Sequence, residues 1–475
     1  MSLQSRATGI LAALPLPQGI RRRVEGMLEG EGDFLGNAGI AFAIRMSGAG
    51  IGFALQVLLA RLLPLDDYGL YVTFWTWLIL AGQIAALGFN DSVIRFLPRY
   101  LERSRLDDAH GYLTTGFFFV VFGSAAIATI GLALIWALPS IYPDGDPRWM
   151  LLTLFFIGIP FMAVELYLDG IARSVGLFVL SAAPAFIVRP VLLASSVALL
   201  ALLGFEVEAA LALAAAIAVT GAVTIGQAIM LRARIRRQFT GTQTRPTAPQ
   251  KKRRLWLAAT LPLTLVYGVE EIYLVSDILL LGLLGDPGQV GIYFTAVRLM
   301  ALAGYVYYAF MLISSREFSL ARARRDPQEL QASVTKATRW TFWLTVPTVC
   351  GLVALGYPLL SIFGPAYTAG YGVLAVLALG LLARASVGQA GDLLVVLGYQ
   401  KTTLVVAVGS LLLNAIVTLA LLPSLGIMAA AIGTVASQAG RAAALAYLAQ
   451  RHAGVATFVL AARRTPKLPG TARPS

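Results

Sequence analysis

Five arginines, Arg45, Arg189, Arg298, Arg384 and Arg441, stand inside long apolar runs rather than in the segments between them. A guanidinium is permanently charged and grips the paired oxygens of a phosphate or carboxylate through a planar fork of donors. Facing lipid at mid-depth, each would cost roughly 2.5–3.5 kcal/mol, against about 0.5 kcal/mol gained per leucine. They must therefore face the protein interior or a water-filled cavity. Arg298 and Arg384 fall near the middle of their runs. Arg45, Arg189 and Arg441 lie nearer one end, where a long side chain can instead snorkel to the interface. The chemistry on offer is anion binding.

Carboxylates share these runs: Glu270, Glu271 and Asp277 in one, Glu165 and Asp169 in another, Asp392 in a third. Glu270 and Asp277 are seven apart, on one helical face, flanked by Tyr267 and Tyr273. Intramembrane acids can hold a proton or Na⁺ and couple a solute to an ion gradient. They can equally neutralise the arginines, and the sequence leaves both open. Glu165, Asp169 and Arg173, spaced by four, suggest an ion-pair ladder along one helix. The amides Gln56, Gln83, Gln227, Gln389, Asn414 and Gln438 suit either a polar cavity wall or helix–helix hydrogen bonds.

The elements that position these groups follow from hydropathy. The chain is 58% hydrophobic and 13% charged, with mean hydropathy +0.77, far more apolar than a soluble domain. Apolar stretches predict twelve membrane-spanning helices, at 37–62, 69–90, 112–138, 150–172, 181–204, 208–231, 255–284, 290–313, 340–363, 371–396, 402–422 and 426–449. With the N-terminus cytoplasmic, thirty of the 37 basic residues fall on the inner side and two, Arg61 and Arg148, on the outer. The net charge of +13 is thus an orientation signal and not a sign of nucleic acid. A single cysteine, Cys350, excludes a disulfide framework, and His110 and His452 lack a third metal ligand nearby.

The organisation expected is an N-terminal cytoplasmic segment over 1–35, with an interfacial helix in IRRRVEGMLEGEGDFL, and no cleavable signal peptide. Six-helix bundles follow over 36–231 and 255–450, joined by a flexible basic linker over 232–254, with a disordered cytoplasmic tail over 451–475. The halves share a repeat. LLARLLPLDDYGLY, Leu58 to Tyr71, is echoed 222 positions later by LLGLLGDPGQVGIY, Leu280 to Tyr293. Leu58, Leu59, Leu62, Gly69, Tyr71 and Thr73 match Leu280, Leu281, Leu284, Gly291, Tyr293 and Thr295. Both copies sit at the outer turn between the first and second span of a half, which implies parallel repeats around a central cavity and hence a transporter.

At LLARLLPLDDYGLY, followed by LGFNDSVIRFLPRY, the chain resembles the polysaccharide-transport flippases of the MOP superfamily. The second half agrees, in TLPLTLVYGVEEIYLVSDILLLGLLGDPGQVGIYFTAVRL, LLSIFGPAYTAG and LGIMAAAIGTVASQ. The resemblance covers roughly residues 36–450. It implies an all-α integral membrane protein, not an enzyme, in the cytoplasmic (inner) membrane. Its implied task is to move polyprenyl-pyrophosphate-linked oligosaccharide between leaflets by alternating access, beside a polymerase and a chain-length regulator. It implies no cofactor beyond a coupling H⁺ or Na⁺, carried by Glu270, Glu271 or Asp277. Pyrophosphate would fall to Arg298 and Arg384, then to Arg45, Arg189 and Arg441. A multidrug or cation exporter of the same superfamily is the alternative, since span seven could supply a cation site. A membrane enzyme would need a large outer loop or a nucleophile or metal constellation, and a structural subunit would not need five interior arginines.

Overall fold

The computed structural model describes residues 32–137, 146–238, 250–324 and 326–460. In chain order the helices are α1 (Gly32–Leu62), α2 (Leu65–Ala85), α3 (Phe89–Glu102), α4 (Leu106–Ala137), α5 (Pro147–Ser174), α6 (Phe178–Leu202) and α7 (Ala209–Gln238). Then come α8 (Gln250–Leu284), α9 (Pro287–Arg324), α10 (Pro327–Ala354), the short α11 (Gly356–Ser361), α12 (Tyr371–Ser386), α13 (Ala390–Val396), α14 (Gln400–Leu425) and α15 (Ile427–Ala453). There is no strand among the described residues.

By length and composition, seven of the described helices can cross a bilayer, or eight if the bent pair α2–α3 counts as one span. The sequence led to an expectation of twelve. The remaining expected spans coincide with α8, α9, α10 and α15, which are long but mix apolar residues with polar and charged ones. Three of these four carry residues of the candidate site, whose charged and polar side chains lower their hydropathy. Around the bundle, large apolar side chains such as Phe122, Ile130, Trp136, Leu265 and Ile416 point outward. An apolar belt of that kind suits lipid rather than water.

Several expected spans are broken rather than straight. Span two bends by 41° between α2 and α3, where Leu87 and Gly88 take left-handed φ of 50° and 70°. The segment after the bend was expected as a loop. It is helical because Phe89, Val93 and Leu97 recur at helical spacing and are buried, while Arg95 and Arg99 are exposed. A π-helical turn over Pro184–Val188 interrupts α6, and Val387–Gln389 separates α12 from α13.

The linker and tail also differ from expectation. α7 runs through RARIRR to Gln238 and α8 starts at Gln250, because Arg, Lys and Gln extend helices readily beyond the apolar run. After α15 the chain does not leave the protein: Val455, Thr457 and Val459 are buried. The side chain of Gln331 on α10 pairs with both backbone groups of Ala456, at 2.9 Å each, and Val459 N–H donates to the Ser386 carbonyl at 2.9 Å. The expected interfacial helix (except for residues 32–35, which open α1) and the tail after 460 lie outside the described residues.

The repeated turns explain themselves by contact. α2 and α9, which follow the two copies, pack on each other. A Cβ added to Gly69 would fall 1.7 Å from the Pro287 carbonyl oxygen, so only glycine permits this backbone approach. On the facing helix, a Cβ at Gly291 would meet the Tyr68 ring at 3.1 Å and the Gly69 nitrogen at 3.4 Å. Nearby, Arg61 donates to the carbonyls of Ile362 (2.7 Å) and Ser361 (2.9 Å), and Tyr367 OH donates to Ala60 O at 3.3 Å. Tyr68 meets Phe294 and Tyr367 edge-on. This end of the molecule is sealed.

Candidate functional site

Each of the five arginines lies over an aromatic ring. The guanidinium carbon of Arg384 is 4.1 Å from the centre of Tyr307 and that of Arg298 is 4.5 Å from Phe294. Arg441 sits 4.8 Å over Tyr273, Arg189 5.4 Å over Trp75 and Arg45 5.5 Å over Phe186. A ring face attracts the cation without neutralising it and without using the N–H donors at its edge. The shelf stabilises the charge and leaves it able to bind.

Partners then divide them. Arg189 on α6 is paired with Glu165 on α5 at 2.7 Å, and Arg441 on α15 with Glu270 on α8 at 2.9 Å. Among the described residues, Arg298 and Arg384 have no carboxylate at ion-pair distance, and both are exposed although they lie in helices through the interior. The expected ladder on α5 is divided as well. Asp169 does pair with Arg173 at 3.0 Å and also accepts from Ser181, but Glu165 turns to Arg189, whose charge is the one most in need of a partner.

Arg384 and Arg441 face the same cavity, of about 670 Å³, together with Glu270, Asp277 and Asp392. Arg95 and Lys401 also belong to its lining. The break in span ten places two of these groups: Arg384 precedes it and Asp392 follows it. Gly388 at the break has φ 55°, and a Cβ there would meet Thr338 at 2.4 Å, so the turn is pressed against α10. Tyr307 OH donates to Gly388 O at 2.8 Å while its ring carries Arg384, and Gln389 donates to Thr341 at 3.3 Å. One tyrosine thus fixes both the break and the arginine beside it.

Arg298 is not in this cavity. It lies with Arg189 in the field around Tyr71, whose ring stacks on Trp75. The sequence grouped Arg298 with Arg384 by depth; the structure groups Arg384 with Arg441 and Arg298 with Arg189. Arg45 stands apart over α6.

The acids also separate. Asp277 is buried and accepts from Tyr293 OH (2.5 Å), Thr434 Oγ1 (3.2 Å) and the Ile278 N–H (2.9 Å). Asn414 extends this network, donating to Thr434 at 3.5 Å and accepting from Thr418 at 3.0 Å. Glu271 does not line the cavity; it lies within electrostatic reach of Asp91 on α3, which accepts from Asn90 at 3.0 Å. Of the six amides, Asn414 and Gln438 line the cavity, whereas Gln56, Gln227 and Gln389 bridge helices. Sequence reasoning missed Tyr307, Thr434, Arg95 and Lys401 as lining residues. Polar residues inside an apolar run were the available signal for Thr434; nothing local marked the others.

A helical bundle with a lipid-facing apolar belt, broken helices and a charged interior cavity has the build of a multi-pass transporter. The chain superposes on a multidrug resistance MATE family transporter of the MOP superfamily in an inward-facing conformation. The TM-score is 0.69 at 13% identity, over 87% of this chain and 98% of that one. It is similar to the lipid II flippase MurJ in an inward closed conformation, with TM-score 0.65 at 17% identity over 86% and 87% of the two chains. For an outward-facing MATE family transporter the TM-score is 0.60 at 14% identity, over 87% and 95%. No curated protein matches the chain by sequence. The chain thus has the fold of these membrane transporters. Residues 34–314 match the polysaccharide biosynthesis protein family, and the chain belongs to it.

Proposed function

We propose that the chain moves a polyprenyl-pyrophosphate-linked oligosaccharide from the inner to the outer leaflet of the cytoplasmic membrane, as a step in polysaccharide biosynthesis. The observation that carries this reading is the state of Arg384: exposed within the cavity, seated on Tyr307, and without a carboxylate partner among the described residues. A guanidinium seated on an aromatic ring, with no carboxylate at ion-pair distance, keeps its charge for an oxyanion. Arg384, with Arg441 on the same wall, would grip the pyrophosphate. The sugars would lie against Tyr267, Tyr273 and Gln438, and the polyprenyl tail would remain in lipid. Arg298, seated on Phe294 and beside Tyr71, offers a second station for the same anion.

The charge distribution supports cytoplasmic termini, and on that reading the sealed repeat-turn end would face outward. The two bundles, 36–231 and 255–450, would rock about that contact. Asp277, held by three donors and with no basic side chain at ion-pair distance among the described residues, is a candidate seat for a coupling H⁺ or Na⁺. Membrane lipids, a polymerase and a chain-length regulator would be the working partners. A multidrug or cation exporter is the second reading, favoured by Glu270, Asp277 and Asp392 on the cavity wall and by the fold shared with the MATE transporters.

Binding to the purified protein of a polyprenyl-pyrophosphate oligosaccharide, beside a lipophilic cationic drug, tests the choice. Pyrophosphate-lipid binding that is lost in Arg384→Ala and weakened in Arg298→Ala supports the flippase. Drug binding alone, indifferent to both substitutions, overturns it in favour of the exporter.

A further inference from the structure

Arg441 and Glu270 make the one ion pair between described residues in the cavity wall. A single nitrogen, Nη2 of Arg441, donates to both carboxylate oxygens, at 2.9 and 3.0 Å, and links α15 to α8. The side chains are 20% and 33% exposed, so both open onto the cavity. On its own helix Glu270 has Glu271 and Asp277, with Tyr267 and Tyr273. From the elements around it come Arg441 (α15), Arg384 (α12), Asp392 (α13), Tyr307 (α9), and Arg95 and Lys401 on the lining. Asp91 of α3 reaches Glu271. Arg384 and Arg441 act together on both Tyr307 and Asp392, so their charges converge on one region.

An anion entering this region finds Arg384 without a carboxylate at ion-pair distance among the described residues, and Arg441 occupied. To be held by both, it must take Arg441 from Glu270. The carboxylate left behind then stands beside Glu271 and within reach of Asp392 with no cation of its own, and an uncompensated charge in a partly buried site is strongly unfavourable. A small monovalent cation must replace the guanidinium.

We infer that Glu270 is the cation-coupling group of this transporter. Cargo and cation bind together by dividing the Arg441–Glu270 pair, the pyrophosphate taking the arginine and H⁺ or Na⁺ taking the glutamate. The identity of the anion rests on the function proposed above. The role differs from that of Asp277, whose carboxylate is closed in by Tyr293, Thr434 and the Ile278 N–H and has no arginine to exchange. Linkage is reciprocal, so a cation that occupies Glu270 must raise affinity for the anion by the factor by which the anion raises affinity for the cation.

The test is the affinity of polyprenyl pyrophosphate for the purified full-length protein, titrated against pH at fixed Na⁺ and against Na⁺ at fixed pH and ionic strength. The wild type should tighten by about tenfold as one of the two cations is raised, within the usual range of coupling between sites. The responding arm identifies the cation. Glu270→Gln, which cannot hold Arg441 as an ion pair, should bind tightly at every cation concentration. The difference between it and the wild type cancels the cargo's own titration. Wild-type affinity indifferent to both cations overturns the inference, and needs no variant to do so. So does a Glu270→Gln protein that responds as the wild type does, or a dependence that disappears in Glu271→Gln instead. Absence of any pyrophosphate-lipid binding by the wild type sinks the cargo reading, and this inference with it; intact binding without cation linkage sinks this inference alone.

Discussion

Arg189 and Arg384 are the same residue on the same kind of shelf, an aromatic ring within 5.4 Å, and they have opposite surroundings. Arg189 is 17% exposed and answered by a Glu165 that is 5% exposed. Arg384 opens onto a cavity and has no such answer among the described residues. The difference separates two uses of charge in an apolar bundle. A paired, enclosed arginine joins helices, here α5 to α6. An arginine in a cavity with no carboxylate at ion-pair distance joins no helices by an ion pair and, on the function proposed above, would be met by the cargo. Arg441 stands between them, paired but on the cavity wall.

The largest effect is expected from removing Glu165. Glu165→Ala leaves the Arg189 charge enclosed without its partner, and breaking a buried pair from one side costs about 3 kcal/mol or more. Thermal unfolding in detergent should show a larger loss of stability than Gly69→Ala, Gln331→Ala or Arg384→Ala produces. If Glu165→Ala unfolds at the wild-type temperature, Arg189 is solvated like Arg384 and the distinction fails.

The sealed end comes next. Gly69→Ala places a methyl group 1.7 Å from the Pro287 carbonyl oxygen, which cannot be relieved by a rotamer change because backbone meets backbone. Overpacking of this kind costs about 2 kcal/mol. The alanine variant should also raise the reactivity of a cysteine introduced at position 292 towards a membrane-impermeant thiol reagent. An unchanged melting temperature with unchanged labelling would show that α2 and α9 do not need to touch.

How much of this was legible beforehand differs by scale. The apolar lengths revealed the helices, and residue type alone marked the five arginines as interior. The pairing was not legible. Glu165 is 24 residues from Arg189 and Glu270 is 171 from Arg441, whereas sequence spacing reports only neighbours on one helix. That is why the ladder through Glu165, Asp169 and Arg173 was the natural reading and was half right. The repeat at Gly69 and Gly291 was plain, but that its copies face each other depends on where the helices cross. α3 was hidden because its charged face reads as a loop, although Phe89, Val93 and Leu97 keep helical time. The break before Asp392 appears in sequence only as one more glycine in an apolar run.

A smaller effect tests the segment after α15, expected as free tail and found pinned beneath the break that carries Arg384. Gln331→Ala removes both hydrogen bonds to Ala456 and leaves that backbone pair without a partner in a half-buried position. The expected cost is about 1.5 kcal/mol, confined to one end of the bundle. Hydrogen exchange should rise over residues 454–460 and over the α12–α13 break, and remain as in the wild type around Tyr68. Uniform exchange across the protein would mean that the strap is not a separate local unit.

The smallest change in stability should come from Arg384 itself. Arg384→Ala gives up its attraction to the Tyr307 ring, worth about 1 kcal/mol at most in an open site. It leaves the half-buried Asp392 within reach of Arg441, and the Tyr307 hydroxyl on the Gly388 carbonyl to hold the break. Melting should therefore barely move. Binding of a pyrophosphate lipid should fall by one to two orders of magnitude, since a charge-assisted hydrogen bond is worth about 1.5–3 kcal/mol. Arg384→Lys should recover only part of it, because an ammonium keeps the charge but not the planar pair of donors. The inverse result, a protein that melts early yet binds as before, would mean that Arg384 is a structural residue like Arg189. The cavity would then have lost the one feature that distinguishes an anion site from a polar seam between helices.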